Sequence, residues 1–140
     1  MAFEGKHSDL TETIIGAFYE VYNYLGFGFS EKVYEKAMLI ELTGLGLEVS
    51  GQIPNNVFYK DSLVGEFIAD LLVDKAVLVE LKAVPQIIEE HEAQLLNYLK
   101  STPIEVGLLL NFGPKAQYKR KVFDNMRKGS LNWTKNEGRS

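Results

Sequence analysis

The chain has 140 residues, no cysteine and a formal net charge of −4, which fits one domain with a hydrophobic core and excludes disulfides and thiolate metal sites. No apolar run could span a bilayer and the first residues lack the apolar stretch of a signal peptide, so we expect a cytoplasmic protein with no membrane partner. The acidic balance argues against nucleic-acid binding by the surface as a whole.

The charge is divided unevenly along the chain. Residues 1–113 hold 7 Lys and Arg against 17 Asp and Glu, whereas residues 114–140 hold 8 against 2. The basic end is either a solvated tail or an arm that contacts phosphates. The candidates for such contacts near the chain end are Lys128, Lys135 and Arg139. We predict one domain over residues 1–122, followed by a basic, mobile tail over residues 123–140.

The first third of the chain predicts two helices. Apolar residues recur at helical spacing over residues 9–25, with Ser8 as the candidate N-cap. A second helix, capped by Ser30, follows a glycine-rich break. Glu31 and Glu35 lie one helical turn apart on it and therefore share a face. An exposed glutamate on a helix is most simply a solvated residue.

From residue 47 onwards the pattern is typical of strands, with one more helix. The predicted elements are strands at 47–53, 57–59, 63–73, 76–84 and 104–112, and a helix at 87–101. Pro54 marks a break between the first two strands. Residues 116–127 form either an edge strand or a short helix. This order predicts an α+β domain with a mixed central β-sheet flanked by helices.

Three charged residues, Asp70, Glu80 and Lys82, interrupt the most apolar pair of predicted strands. Burying an unpaired charge costs several kcal/mol or forces the group to neutralise, so these charges need an explanation. Glu80 and Lys82 are two residues apart and point to the same side of a strand. Two carboxylates at one sheet edge form an oxygen site that suits Mg²⁺ or Mn²⁺. The alternative is a solvent-facing side with a Glu–Lys pair worth under about 1 kcal/mol.

The metal site requires a particular register of this hairpin. A two-residue loop would pair Asp70 with Val79 and place its carboxylate on the opposite side of the sheet from Glu80. A three-residue loop pairs Asp70 with Glu80 instead. That loop needs a left-handed residue near Lys75 or Ala76, where no glycine is present, at a cost of about 1 kcal/mol.

Four motifs resemble those of a known group of proteins, and in chain order they are GxxExxY, an aspartate, ExK and QxxxY. Residues 28–34 (GFSEKVY) match the GxxExxY motif, which names a family of small prokaryotic proteins. Asp70, followed by Glu80 and Lys82, resembles the PD-(D/E)xK nuclease signature. Ala69 stands where a proline often precedes the aspartate in that signature.

A further pattern lies on the third predicted helix. Gln94 and Tyr98 form a QxxxY pattern similar to that of the lambda-exonuclease-like and RecB-like branches of these nucleases. The resemblance covers roughly residues 8–122, which is nearly the whole predicted domain. It implies a restriction-endonuclease-like core.

The resemblance also implies a function, which is Mg²⁺- or Mn²⁺-dependent hydrolysis of phosphodiester bonds in DNA or RNA. In such nucleases carboxylates hold the metal, a lysine assists the attacking water and a helical glutamate completes the site. The corresponding catalytic residues here are Glu31, Asp70, Glu80 and Lys82, of which the three carboxylates are the metal ligands. Gln94 and Tyr98 would line the cleft and bind substrate.

A second function remains open, which is a non-catalytic module that keeps the nuclease scaffold and binds nucleic acid or a protein. The acidic body of the chain favours this alternative, whereas the intact set of Asp70, Glu80 and Lys82 favours catalysis. As a nucleic-acid partner we expect DNA rather than RNA. A homodimer, in which one subunit's basic tail covers the other's cleft, would reconcile both observations, and the sequence does not decide it.

Overall fold

Three helices and five strands lie between residues 5 and 129, the part of the chain that the computed structural model describes. In chain order they are α1 (Ser8–Leu25), α2 (Glu31–Gly44), β1 (Val49–Tyr59), β2 (Ser62–Val73), β3 (Val77–Lys82), α3 (Glu89–Lys100), β4 (Val106–Phe112) and β5 (Ala116–Val122). A short 3-10 helix, Asn125–Arg127, follows β5. None of the helices in this range has the length and apolar composition needed to cross a membrane.

The strands form one mixed sheet in the order β1-β2-β3-β4-β5. Only β3 and β4 pair in parallel, and the other neighbours are antiparallel. A parallel pair needs a long crossover connection, and α3 supplies it. The predicted α+β class with a mixed sheet flanked by helices is therefore confirmed.

The sheet separates two hydrophobic cores. On one face α1 and α2 pack around Tyr34, whose ring stacks on Phe112 with centroids 4.2 Å apart. On the other face α3 contributes Leu95 and Leu99. Every residue of β4 is buried, because helices cover this central strand on both sides. Alternation along β3 then places Glu80 on the α3 face of the sheet.

Two local predictions are corrected by the structure. Helix α1 begins at Ser8 itself and has His7, not Ser8, at its N-cap position. Strand β1 continues through Pro54, which was expected to interrupt it, and Pro54 pairs with Ile68 of β2. Because β1 is an edge strand, its outward positions need no backbone N–H donor, and proline is tolerated there.

The hairpin between β2 and β3 has the three-residue loop that a shared carboxylate site requires. Val73 pairs with Val77, which leaves Asp74, Lys75 and Ala76 as the loop. Asp74 and Lys75 are both left-handed, with φ of 51° and 55°. The sequence predicted one such residue at Lys75 or Ala76, so Lys75 agrees with the expectation and Asp74 is an additional strained position.

Asp74 is strained but anchored to the residue that precedes β1. Its backbone N–H donates to the carbonyl oxygen of Glu48 at 2.7 Å, and its Oδ1 accepts from the Glu48 N–H at 2.8 Å. These two hydrogen bonds hold the loop in its left-handed conformation. The register of the hairpin therefore depends on a contact with a segment 26 residues earlier in the chain.

Lys75→Gly should stabilise the protein by about 1 kcal/mol, because glycine adopts a left-handed conformation without the penalty of a Cβ. Lys75 is exposed and lies 3.9 Å from Glu48 in a surface ion pair of little energetic value. Urea unfolding measures the change. Lys36→Gly, the same substitution at an exposed site inside α2, should destabilise by a similar amount. A loss of stability on Lys75→Gly would contradict this account of the turn.

Lys128 does not belong to a free basic arm, and its assignment as a phosphate-contacting residue is wrong. Its side chain is 1% exposed, and its Nζ donates to the carbonyl oxygens of Thr102 and Ile104 at 2.9 and 2.7 Å. Burial lowers the pKa of this amine to about 8. Lys135 and Arg139 lie outside the described residues.

Strand β5 ends at Val122, where the sequence analysis placed the domain boundary, and that boundary stays a prediction. The chain remains attached to the body beyond that point, since Phe123 donates its backbone N–H to the carbonyl oxygen of Glu105 at 2.8 Å. The Phe123 ring packs against the α3-side core. The first part of the predicted tail, residues 123–129, therefore begins with a residue that packs against the domain.

Candidate active site

Asp70 and Glu80 lie where β2 and β3 stop pairing. The last paired residues of the ladder are Leu71 and Val79, so Asp70 and Glu80 occupy the next position on each strand. The carboxylate of Asp70 takes the place of a backbone partner there, because its Oδ2 accepts the N–H of Leu81 at 2.7 Å. The register that brings the two carboxylates together, predicted as a requirement of the metal site, is confirmed.

A cleft of about 300 Å³ opens beside Glu80 on the α3 face of the sheet. It is lined by Glu66, Phe67, Ile68, Glu80, Lys82, Gln94 and Tyr98. The Lys82 Nζ donates to the Oε1 of Gln94 at 3.3 Å, so this lysine points into the cleft alongside Glu80. The structure thus brings four residues singled out by their motifs, two from β3 and two from α3, to one cavity.

Tyr98 is engaged in the fold as well as in the cleft. The side chain is 4% exposed, and its hydroxyl donates to the carbonyl oxygen of Ile53 on β1. Burial raises the pKa of the phenol to about 12, and the nearby Glu80 carboxylate acts in the same direction. Tyr98 therefore fixes the distance between α3 and the β1–β2 hairpin and presents its ring, rather than a free hydroxyl, to the cleft.

Glu80 is the most perturbed acid of the site. Burial raises the pKa of its carboxyl to about 8, and the negative charge of Asp70 acts in the same direction. The backbone amide of Asp70 and the ammonium of Lys82 oppose the shift without cancelling it. Its Oε1 is buried and has no hydrogen-bond partner within residues 5–129. An acid in this environment is protonated at neutral pH or needs a cation.

Asp70 is perturbed in the same direction. Burial raises the pKa of its carboxyl, the Leu81 N–H lowers it, and the charges of Glu35 and Glu31 raise it. Glu31 itself is exposed in the first turn of α2, and its charge also raises the pKa of Glu80. Glu31 and Glu35, two of the glutamates of α2, are therefore within electrostatic reach of Asp70.

The donor set fits a divalent cation that keeps water ligands. Within residues 5–129 no three His, Cys, Asp or Glu side chains converge closely enough to enclose a metal ion. Mg²⁺, however, is commonly bound through one or two carboxylates and completes its shell with waters and substrate phosphates. The unpartnered Glu80 Oε1 next to the Asp70 carboxylate supplies that kind of partial site.

Two polar residues near the cleft have structural roles. The Nδ1 of His91 accepts the backbone N–H of Ile88 and caps α3. The side chain of Asn111 accepts the N–H of Val84 and donates to its carbonyl oxygen, both at 3.0 Å, which secures the chain just beyond β3. These hydrogen bonds give the Nδ1 of His91 and the side-chain amide of Asn111 a structural role.

Sequence reasoning missed one residue pair at the site. The Nε2 of Gln52 on β1 donates to both carboxylate oxygens of Glu35, at 3.0 and 2.8 Å. Glu35 could have been suspected because it shares a helix face with Glu31. Gln52 could not, since its position across from Asp70 depends on the register of β1 and β2.

Comparisons with known proteins bear on the family and the fold of the chain. A family model described as the PD-(D/E)XK nuclease superfamily matches residues 8–122. No curated protein matches the chain. A solved structure, titled "Crystal structure of SSO0001", is 18% identical with a TM-score of 0.53, and the match covers 89% of this chain and 64% of that chain.

The structural likeness supports the fold alone, because the identity is low and this chain spans less than two thirds of the length of that protein. Together with the family match it confirms the predicted restriction-endonuclease-like core. The finer assignments, to the GxxExxY family and to the lambda-exonuclease-like or RecB-like branch, stay predictions.

Proposed function

The chain belongs to the PD-(D/E)XK nuclease superfamily, and we propose that it is a metal-dependent nuclease that hydrolyses phosphodiester bonds. The observation that carries the proposal is the environment of Glu80. This acid is half-buried near Asp70, has one buried oxygen without a partner among residues 5–129 and shares a cleft with Lys82. A carboxyl whose pKa is raised to about 8 in a cleft is a candidate functional group rather than a structural one.

Asp70 and Glu80 would hold Mg²⁺ or Mn²⁺, with Glu31 as an outer carboxylate. When bound, the cation supplies Lewis-acid polarisation of a phosphoryl oxygen and lowers the pKa of an attacking water. Asp70 is pre-oriented for this task because the Leu81 N–H fixes its Oδ2. A pre-oriented carboxylate loses little side-chain freedom on binding an ion.

Lys82 would hold the attacking water and offset negative charge that develops on the phosphate. Its ammonium lies on the same side of β3 as Glu80 and is tethered by the Oε1 of Gln94. Gln94 thereby positions the lysine, and its amide nitrogen would bind substrate. The Tyr98 ring forms part of the cleft wall against which a nucleotide would rest.

We place DNA ahead of RNA as the substrate, and the proposal extends to a homodimer in which the basic chain end of one subunit covers the other's cleft. The second candidate function is a non-catalytic binding module on this scaffold. Two observations favour it: the excess of acidic residues in the body, and the lack of a three-carboxylate cage within residues 5–129. Both candidates use the same cleft, so the experiment separates them by turnover.

The test is cleavage of single- and double-stranded DNA and RNA with Mg²⁺ or Mn²⁺, accompanied by calorimetric Mn²⁺ titration. Glu80→Gln and Asp70→Asn should abolish both cleavage and Mn²⁺ binding, because each removes a ligand charge and keeps the side-chain shape. Lys82→Met should keep Mn²⁺ binding and lower the cleavage rate about 10²–10⁴-fold, the usual contribution of a group that assists proton transfer. Glu20→Gln, an exposed site on α1, is the matched control.

Each outcome of the cleavage assay favours one candidate function over the other. Cleavage that survives Asp70→Asn would refute the proposed site. Nucleic-acid binding by the wild type without turnover in any metal would instead favour the non-catalytic module. Sedimentation of the wild type reports whether the active form is a dimer.

A further inference from the structure

A second cavity, a groove of about 430 Å³, lies between the β1–β2 hairpin and the C-terminal half of α3. The hairpin reaches beyond the rest of the sheet, because β2 pairs with β1 along its length but with β3 only at residues 71–73. The hairpin wall of the groove is mostly apolar and includes Val57, Val64 and Phe67. Apolar clefts of this size with a few polar groups commonly bind ligands.

The groove is built into the fold by contacts between the hairpin and α3. The hydroxyl of Tyr98 donates to the carbonyl oxygen of Ile53, and the Nδ2 of Asn55 donates to the carbonyl oxygen and the Oγ of Ser101, at 2.6 and 2.7 Å. The rings of Phe67 and Tyr98 meet edge-on, with centroids 6.0 Å apart. These contacts set the width of the groove before any ligand binds, which lowers the entropic cost of binding.

The groove lies next to the candidate active-site cleft. Phe67 lines both cavities. On α3, Gln94 and Tyr98 line the cleft, whereas Asn97 and residues beyond it line the groove. A chain molecule that lies in the groove is therefore adjacent to the cleft that contains Glu80.

An aromatic ring and a cation stand together at the hairpin end of the groove. The side chain of Tyr59 lines the groove and is 66% exposed, and the Nζ of Lys60 lies 5.3 Å from the centroid of its ring. Lys100 lines the groove on the α3 side. Among the described residues that line it, none is acidic, although the body of the chain has an excess of acidic residues. Exposed aromatic rings beside basic side chains are the usual means of binding unpaired nucleotides.

We propose that this groove binds single-stranded DNA, with a base stacked on Tyr59 and a neighbouring phosphate bound by Lys60, and directs that strand to the cleft. The inference rests on the proposed nuclease function and deepens it, because it names an unpaired strand as the substrate. The faces of bases in a duplex are covered by their neighbours, whereas an unpaired base can stack on a tyrosine ring. The apolar wall favours DNA over RNA, since a buried ribose 2′-hydroxyl would find few hydrogen-bond partners there.

The experiment is fluorescence anisotropy of a labelled deoxyuridine single strand in the presence of a chelator, so that neither metal binding nor cleavage contributes. Tyr59→Ala should weaken binding about 10-fold, within the usual contribution of stacking one base on an aromatic ring. Tyr59→Phe keeps the ring and should bind like the wild type. Tyr24→Ala, at a tyrosine on α1 that is 87% exposed, is the matched control.

Two further measurements test the charge and the choice of strand. Lys60→Ala should reduce the slope of log affinity against log salt by about 0.7, the value for one phosphate contact on a single strand. A uridine single strand of the same length should bind more weakly than the deoxyuridine strand. Duplex DNA should bind with an affinity that Tyr59→Ala does not change.

Several results would overturn the inference. These are an unchanged single-strand affinity in Tyr59→Ala, an equal loss in Tyr24→Ala, and a uridine strand that binds as tightly as the deoxyuridine strand. Sedimentation adds another, because a wild-type dimer that Tyr59→Ala dissociates would show that the groove is an interface between two copies of the chain.

Failure of this inference is distinguishable from failure of the proposed nuclease function. If cleavage depends on Asp70 but Tyr59→Ala binds single strands like the wild type, the nuclease function stands and the groove is not its substrate site. If Tyr59→Ala weakens single-strand binding and the wild type cleaves nothing in any metal, the groove is a binding site and the nuclease function fails.

Discussion

The metal-free Glu80→Gln variant is expected to be more stable than the wild type at pH 9, by a few kcal/mol. The folded-state pKa of Glu80 is raised from 4.5 to about 8, mainly by burial. A group with a raised folded pKa gives its full stabilisation below the unfolded pKa and loses it as pH rises through the folded pKa. The stability of the wild type should therefore fall between about pH 4.5 and 8, with an upper limit of about 5 kcal/mol. Glutamine does not titrate.

Urea unfolding in the presence of a chelator, at pH 5 and at pH 9, measures this difference. The advantage of the variant should be small at pH 5 and several-fold larger at pH 9. Because the cation displaces a proton from Glu80, the Mn²⁺ affinity of the wild type should also rise with pH up to about 8. A stability difference between Glu80→Gln and the wild type that stays constant from pH 5 to pH 9 would show that ionisation of Glu80 does not destabilise the folded protein.

Gly113→Ala should destabilise the protein by about 3 kcal/mol or more, a large part of the stability of a small domain. A Cβ on Gly113 would lie 2.2 Å from the carbonyl oxygen of Val84 and 3.0 Å from the Nδ2 of Asn111. The first contact is with backbone, so no change of rotamer relieves it. The clash forces Asn111 away from Val84, which adds the cost of buried groups left unpaired to that of overpacking.

The control is a glycine-to-alanine substitution at a position where an added Cβ would meet no neighbouring atom. Gly16 lies on the exposed side of α1, and a methyl group added there would have no heavy atom within 4 Å outside its own helical turn. Gly16→Ala should stabilise by about 1 kcal/mol because alanine is the better helix former. Both variants are compared with the wild type by urea unfolding. A Gly113→Ala protein within about 1 kcal/mol of the wild type would refute the proposed clash.

The sequence predicts those features of the cleft that depend on residues close together in the chain. Alternation of apolar residues predicts the helices and strands, since each period reflects the geometry of a few consecutive residues. Asp70, Glu80 and Lys82 stand out because charges in an apolar run are costly whatever the fold. The spacing of Gln94 and Tyr98 on a helix places them on one face. Their role as catalytic or binding residues stays a prediction.

The boundary between what sequence and structure decide is clearest at the β2–β3 hairpin. A two-residue loop, the commonest hairpin connection, would separate Asp70 from Glu80. The opposite register is selected by the two hydrogen bonds between Asp74 and Glu48, residues far apart in the chain. No local sequence pattern reveals such a contact. The sequence therefore shows which hairpin register the metal site requires, but not which register forms.

Contacts between distant segments decided the remaining features in the same way. Pro54 is accepted in β1 because the tertiary arrangement makes that strand an edge. Lys128 is buried because two backbone carbonyls near the end of α3 accept its hydrogen bonds. Gln52 meets Glu35 only once β1 and α2 have docked. Local patterns were enough to predict which helices and strands form and which charged residues are unusual for their surroundings. Tertiary packing decided which of those charged residues come together. It does so because it brings together residues that are far apart in the chain and that no helical or strand periodicity relates.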